Sequence, residues 1–347
     1  MVDQSERHLS IILPGMLGPV EPTSLPLSTV HLKPLSLLLA RSQAQALEHN
    51  TVDSLLFALF NYPPVEELPV AAVTMQALSA EERGAWYICA DPVLLVPGQS
   101  HLMCMGAGEE LQLSKAESQA LIESLNEHFA DRELEFRAIN PHRWLIRSPK
   151  HYLLTTTSMA QVYGEAVERR LPTGKDSIFW HSIIAEAQML LHGHEINQQR
   201  MNTNKPAING IWLSGSGTVA ELAAHNWSSV SGNMLLLQGM LAGSTITLSA
   251  VPDNMADWLK ALPAGEHLIA VEHQIAAQNW TKVMASLASQ WWAPMFDALK
   301  NGQLESVTLY PLNGTRYKIT SSMSRRWWKS AKQIHHYLDS IDYEKAY

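Results

Sequence analysis

The densest set of side chains able to bind an anion runs His192, His194, Asn197 and Arg200, with Asn209 a few residues on. A guanidinium among neutral donors at the rim of a sheet can take a phosphate or carboxylate through two bonds. The same groups can equally cap a helix and tie down a loop. Downstream, Ser214-Gly215-Ser216-Gly217-Thr218 follows a strand-like run from Ile208 to Leu213 and reads as a glycine loop turning toward a helix-like segment, Val219 to Ala224. Small residues between a strand and a helix N-terminus leave backbone N–H groups pointing outward, a geometry suited to an anion. A metal site is not expected at His192 and His194, because residues two apart on a helix do not share a face and Glu195 does not complete a ligand set. Asp91, with Arg83 and Arg137, and Glu272-His273 at a strand's carboxyl end complete the candidates. Solvated charges and a satisfied histidine are the alternative readings there.

The elements that must position these groups are legible around them. Phe179, Trp180, Ile183, Ile184, Ala187, Leu190 and Leu191 fall on one helical face; Asp176 or Ser177 can cap its start and Gly193 can end it. The spacing predicts a His- and Asn-rich loop after it. Upstream, Ser10 to Leu13 reads as a first buried strand, and Leu35 to Ala40 and Val52 to Phe60 as helices. Ala85 to Val96, with Asp91-Pro92 in its middle, is a strand pattern with a hairpin partner at Ser100 to Met105. Ser114 and Glu117 form a capping box for a helix reaching Phe129, followed by strands at 134–139 and 143–146.

Beyond the glycine loop, strands are expected at 227–230, 245–250, 267–272 and 306–310, with helices at 233–241, 255–262 and 279–299. The Trp and Met stripe of the last helix reads as core. This order implies an α/β fold with a mostly parallel sheet flanked by helices. The domains expected are a first core segment over 1–84, a smaller α+β insertion domain over 85–155, and a second core segment over 156–347 ending in a basic-aromatic tail.

Bulk properties narrow the function. The chain has 347 residues, 46% hydrophobic, with a net charge of −8. That charge makes a nucleic-acid partner unexpected, although Arg325-Arg326-Trp327-Trp328-Lys329 mixes cations and rings able to stack on bases. The Trp pair is read as packing a tail helix onto the core while the cations stay in water. Two cysteines, Cys89 and Cys104, point to a reduced, cytoplasmic compartment. No run of about 18 apolar residues suggests a membrane span, and no membrane partner is expected.

The stretch HGHEINQQRMNTNKPAINGIWLSGSG resembles the His-Pro-Val-Asn, Arg, Pro-Ala-Asn and Gly-x-Gly segment of archaeal-type cofactor-independent phosphoglycerate mutases, in the alkaline phosphatase superfamily. His194, Asn197, Arg200, Pro206, Asn209, Gly215 and Gly217 carry the match. The stretches WYICADPVLL, LSKAESQALIESLNEHF and LEFRAINPHRWLI follow in the family's order. The resemblance is closer still to bacterial RpfE-type regulatory proteins, through Ala90-Asp91-Pro92-Val93, Gln188 to His192, the Trp-Leu strand and the basic-Trp tail.

It implies an alkaline-phosphatase-like fold and a two-metal phosphoenzyme mechanism. The chain departs at the residues that mechanism uses. The first strand ends in Leu13-Pro14-Gly15 where the family has Asp-Gly, and a late strand leads into Pro311-Leu312-Asn313-Gly314 instead of Gly-Asp-His-Ser. Glu272 to Asn279 replaces Gly-His-Asp-Gly-Asp. Two-metal phosphoryl transfer needs charge neutralisation and an activated oxygen nucleophile, which proline, leucine and asparagine do not supply. The expectation is therefore a pseudoenzyme without a metal cofactor, a regulatory protein taking a phosphorylated or acidic small molecule, with a protein partner. The alternatives are an active mutase or related phosphotransferase using Mn or Zn and a rearranged site with His192, His194 and Glu272, and, third, a nucleic-acid-associated protein using Arg325 to Lys329.

Overall fold

The structure is a computed structural model describing residues 6–18, 32–79, 84–98, 101–220, 224–261, 263–272, 274–276 and 279–338. In chain order the strands are β1 (Arg7–Ile12), β2 (Gln43–Ala46), β3 (Trp86–Pro97), β4 (Leu102–Ala107), β5 (Glu135–Asn140), β6 (Arg143–Ser148), β7 (Gly210–Gly217), β8 (Trp227–Ser231), β9 (Gly265–Ala270), β10 (Ser306–Tyr310) and β11 (Thr315–Thr320). The helices are α1 (Lys33–Arg41), α2 (Val52–Leu59), α3 (Val70–Gln76), α4 (Lys115–His128), α5 (Ser177–His192), α6 (Glu195–Asn202), α7 (Leu235–Met240), α8 (Met255–Ala261), α9 (Trp280–Leu287), α10 (Ala293–Lys300) and α11 (Ser321–Ser324). Two compact units result, Met1–Phe60 with Ala224–Tyr347, and Asn61–Ala223.

The first unit is built on a sheet of order β2-β11-β10-β1-β9-β8. The pairings β1 with β10, β1 with β9 and β8 with β9 are parallel, and β11 adds an antiparallel edge with β2. Both faces of β1 are covered, since Leu9, Ser10, Ile11 and Ile12 are all buried in succession. Leu9 and Ile11 join a core with Leu35, Leu38, Trp258, Trp280, Met284, Trp292, Met295 and Leu299. The Trp and Met stripe is thus core, as its helical spacing predicts. A π-helical turn, Ala288–Trp292, joins α9 to α10. At 245–250 the chain makes only a single bridge, Ser231 to Ser249, in place of the expected strand.

His267 sits in β9 with no exposed surface. Its Nδ1 lies 2.8 Å from Ser229 Oγ, and its Nε2 3.1 Å from the Pro263 carbonyl oxygen, which fits a neutral ring protonated on Nε2. Burial pushes the His267 imidazole down; the Pro263 carbonyl opposes this, and Arg7 and His8 add to it. Burial lowers His142 and His225 as well. An unfolded imidazole takes up its proton at about pH 6.5. The neutral, bonded His267 therefore stabilises the fold above that pH, and this contribution falls as the pH drops from about 6.5 toward the lower folded value. The urea midpoint is expected to be lower at pH of about 5.5 than at about 7.5, with a shallower fall in His267→Gln; equal falls in both proteins would place the proton uptake elsewhere.

The second unit is an antiparallel sheet around the long strand β3. Its first residues pair with β6, Tyr87 to Val93 with β7, and Val93 to Pro97 with β4, while β5 pairs with β6. Helix α4 starts with the expected capping box: the Glu117 N–H donates to Ser114 Oγ at 3.2 Å and the Ser114 N–H to Glu117 Oε2 at 2.8 Å. The boundaries differ from the 85–155 insertion expected from the sequence. The strand at 208–213, assigned there to a parallel core, lies antiparallel against β3, and the buried stripe of α5 packs with it. Residues 61–84 and 156–223 therefore join the strands of 85–155 in one unit.

Candidate functional site

Helix α5 buries Trp180, Ile183, Ala187 and Leu191, the stripe its spacing defines, and ends at Gly193. The chain then forms α6 where the sequence predicts a loop. His194 makes this possible, because its Nδ1 accepts the Ile196 N–H at 3.2 Å and so satisfies a donor that a helix start leaves open. Its Nε2 lies 2.9 Å from Ser124 Oγ. Asp176 makes no cap at the start of α5; its Oδ2 accepts the Leu153 N–H at 2.7 Å.

The neighbouring candidates also bond to the chain itself. The Asn197 amide group donates to the Leu191 and Ile208 carbonyls at 2.6 and 2.7 Å, and its Oδ1 accepts the Ile208 N–H at 2.7 Å. Arg200, 1% exposed, donates from Nε to Pro206 O at 2.8 Å, from Nη1 to Glu117 Oε1 at 2.9 Å and from Nη2 to Leu111 O. Burial works against the charge on Glu117, yet Ser114 and Arg200 outweigh it and hold the carboxyl below its usual range. Asn209 imitates a strand rung, accepting the Leu95 N–H at 2.7 Å and donating to Leu95 O at 2.8 Å. His192 is exposed at the end of α5.

The glycine segment does not open a helix. Ser214 to Gly217 forms the end of β7, with a register shift against β3 between Tyr87 and Cys89. Gly215 and Gly217 take φ of 61° and 145°, which irregularises the strand end. Val219 and Ala220 are not helical, and residues 221–223 lie outside the described residues. The amides at this turn nonetheless hold an anion, and the chain supplies it. The Glu67 carboxylate accepts the Thr156 N–H at 2.9 Å, the Ser216 N–H at 3.3 Å and the Thr156 hydroxyl. Thr156 Oγ1 in turn accepts the Gly215 N–H at 2.9 Å. Burial pushes the Glu67 carboxyl up against the pull of these donors. Ser214 and Ser216 are buried beside it.

Asp91 is 5% exposed and accepts the Trp144 N–H at 3.3 Å and Arg143 Nε at 3.1 Å. The carboxylate thus gives the Trp144 N–H an acceptor where the pairing of β3 with β6 stops at Cys89 and Leu145. Arg137 pairs with Glu135, 2.7 Å away. Glu272 is exposed in the first unit; Arg83 and His273 lie outside the described residues. A cavity of about 660 Å³ in the first unit is lined by Arg7, Lys260, Ser289, Asp297 and Gln303, and none of the candidates lines it.

Among the described residues, the ends of β1 and β10, Leu13-Pro14 and Pro311-Leu312-Asn313, offer no carboxylate or imidazole to a divalent cation. The Leu13 N–H donates to Tyr310 O at 3.1 Å, tying the apolar end of β1 to that of β10. Asn313 Oδ1 is buried with no hydrogen-bond partner, but one neutral oxygen does not hold two divalent ions. Among the described residues, no three His, Cys, Asp or Glu side chains are grouped to hold a metal.

These two units define a protein of mixed α/β class. By sequence, the chain is homologous at low identity to archaeal-type cofactor-independent phosphoglycerate mutases. The 2,3-bisphosphoglycerate-independent phosphoglycerate mutase of Methanosarcina barkeri is 29% identical over 111 residues, 31% of this chain and 28% of that protein. Its Methanosarcina mazei counterpart is 27% identical over 114 residues, 32% and 29% of the two chains. The matches thus span less than a third of these relatives' length. Among solved structures, a cofactor-independent phosphoglycerate mutase from Thermoplasma acidophilum aligns over 98% of each chain with a TM-score of 0.45 and 13% identity. The PH0037 protein from Pyrococcus horikoshii aligns over 91% of this chain and 88% of its own with a TM-score of 0.49 and 13% identity. No family model matches the chain. Among the described residues, no helix is long and apolar enough to cross a membrane.

Proposed function

We propose that this chain is a non-catalytic, phosphoglycerate-mutase-like regulatory protein of the RpfE type, with an alkaline-phosphatase-like fold. In this reading it is a bacterial cytoplasmic protein that needs no metal cofactor, takes a phosphorylated or acidic small molecule and passes the signal to a protein partner. The observation that carries the reading is the nest of Thr156, Gly215 and Ser216 donors, which already holds a carboxylate. A ligand's phosphate or carboxylate offers the same kind of acceptor oxygens and competes with Glu67 for these donors. Asn197, Arg200 and Asn209 tie down the chain that enters β7, the strand whose far end carries the nest. The apolar ends of β1 and β10 leave a mutase without the charges that metal-assisted transfer needs.

The test is a thermal-shift titration of wild type and Glu67→Ala with 3-phosphoglycerate, sugar phosphates and nucleotides. Removing the internal carboxylate is expected to strengthen binding, so that the variant gains more stability than the wild type; a ligand at 100 times its Kd adds about 2.7 kcal/mol. Absence of a shift in both proteins with every compound would remove the small-molecule ligand. Conversion of 3- to 2-phosphoglycerate by the wild type with added Mn, abolished by a chelator, would remove the non-catalytic reading.

A further inference from the structure

The expected packing of the tail is not found. Helix α11 ends at Ser324, and the Trp327 and Trp328 side chains that follow are 81% and 65% exposed. Their ring centroids lie 6.1 Å apart with planes at 86°. The turn that displays them is built from several directions. Arg41 lies 5.3 Å from the Phe296 ring centroid and donates to the carbonyls of Ser324 and Lys329, the latter at 3.1 Å. Arg325 Nε donates to Lys300 O at 3.2 Å. Within the turn, the N–H groups of Arg326 and Lys329 donate to Met323 O and Arg326 O at 3.2 and 3.1 Å. Two large rings are thus held out in water by an organised backbone, and an exposed apolar feature of this kind marks a contact surface.

Charge selects the partner. The chain is acidic overall, yet residues 306–338 contain Arg316, Lys318, Arg325, Arg326, Lys329 and Lys332 and no Asp or Glu. Arg316 and Lys318 are exposed and two apart on β11, so they share one face. Lys318 pairs in register with Gln43, close in sequence to the Arg41 that anchors the tail turn, which places β11 and the turn side by side. We propose that this surface binds single-stranded nucleic acid, each Trp ring stacking one base and the cations of β11 and the turn contacting phosphates. The arrangement suits a chain of spaced charges better than an anionic bilayer. Rings at right angles present separate faces, and the cations run along a strand and a turn instead of ringing one apolar tip.

The test is a fluorescence-anisotropy titration of the full chain against a labelled oligo(dT) of about 20 nucleotides. The variants are Trp327→Ala/Trp328→Ala and Arg326→Gln/Lys329→Gln, whose exposed and half-exposed side chains leave the thermal midpoint as a check on folding. Four phosphate contacts predict about 50-fold weaker binding as salt rises from about 50 to 200 mM. The Trp variant is expected to lose about 100-fold at an unchanged salt slope, and the cation variant to flatten that slope. Absence of wild-type binding would overturn the proposal, as would binding indifferent to the Trp pair. Cosedimentation with phosphatidylserine vesicles without oligonucleotide binding would overturn it in favour of a lipid surface.

Discussion

Urea unfolding of Arg200→Ala without any ligand is expected to show a loss of about 2–5 kcal/mol, set by buried carbonyls left without a donor and by the emptied volume. The side chain is 1% exposed and serves three acceptors in different segments: Glu117 on α4, Leu111 before that helix and Pro206 after α6. Glu117 keeps some contact with water, its side chain being 18% exposed, so the greater share of the loss is expected from the two carbonyls and the emptied volume. Arg200→Lys is expected to recover little. An ammonium on a flexible stem is a point charge and cannot hold three acceptors in the plane of a guanidinium fork. This separates a positioning role from ligand contact. A lysine variant with the wild-type urea midpoint and an abolished ligand shift would put the guanidinium on the ligand instead.

The features of this architecture that are legible in the sequence are those set by local rules. The α5 stripe, the Ser114 and Glu117 box and the largely apolar strand patterns of β1, β3 and β10 each depend on neighbours within a few residues. Strand β2 escapes notice because Gln43 to Ala46 is an exposed edge segment without a large apolar side chain, and β11 because its alternation is confined to Tyr317 and Ile319 between Arg316 and Lys318. The partner of the glycine turn is invisible for another reason. Glu67 lies 149 residues from Ser216, and nothing in Glu67-Leu68-Pro69 indicates which amides its carboxylate will meet. The His194 to Arg200 cluster stands out by residue types alone, but types do not say whether an acceptor comes from a ligand or from the chain. Here Leu191, Ile208, Pro206 and Glu117 supply the partners. The Trp327 and Trp328 pair shows the converse, since apolar character predicts burial and the surrounding anchors hold the rings outward.

Gly215→Ala is the second large effect expected, because two penalties meet at one atom. The residue takes φ of 61°, a conformation costing an L side chain about 1–2 kcal/mol. A Cβ built there lies 2.6 Å from Val70 Cβ and 3.4 Å from Val70 N, so relief requires β7 and α3 to separate. Overpacking of this kind costs typically about 1–3 kcal/mol, and together the penalties place the loss at about 2–5 kcal/mol. The displacement acts on the nest directly, since the Gly215 and Ser216 N–H groups sit on the moved backbone and face Thr156 and Glu67. The two penalties are separable by a second change. Val70→Gly removes the Cβ that the added methyl group meets, so the double variant is expected to be more stable than the sum of the single losses predicts. Strict additivity would show that the left-handed backbone alone sets the cost, and that α3 gives way freely to the added methyl group.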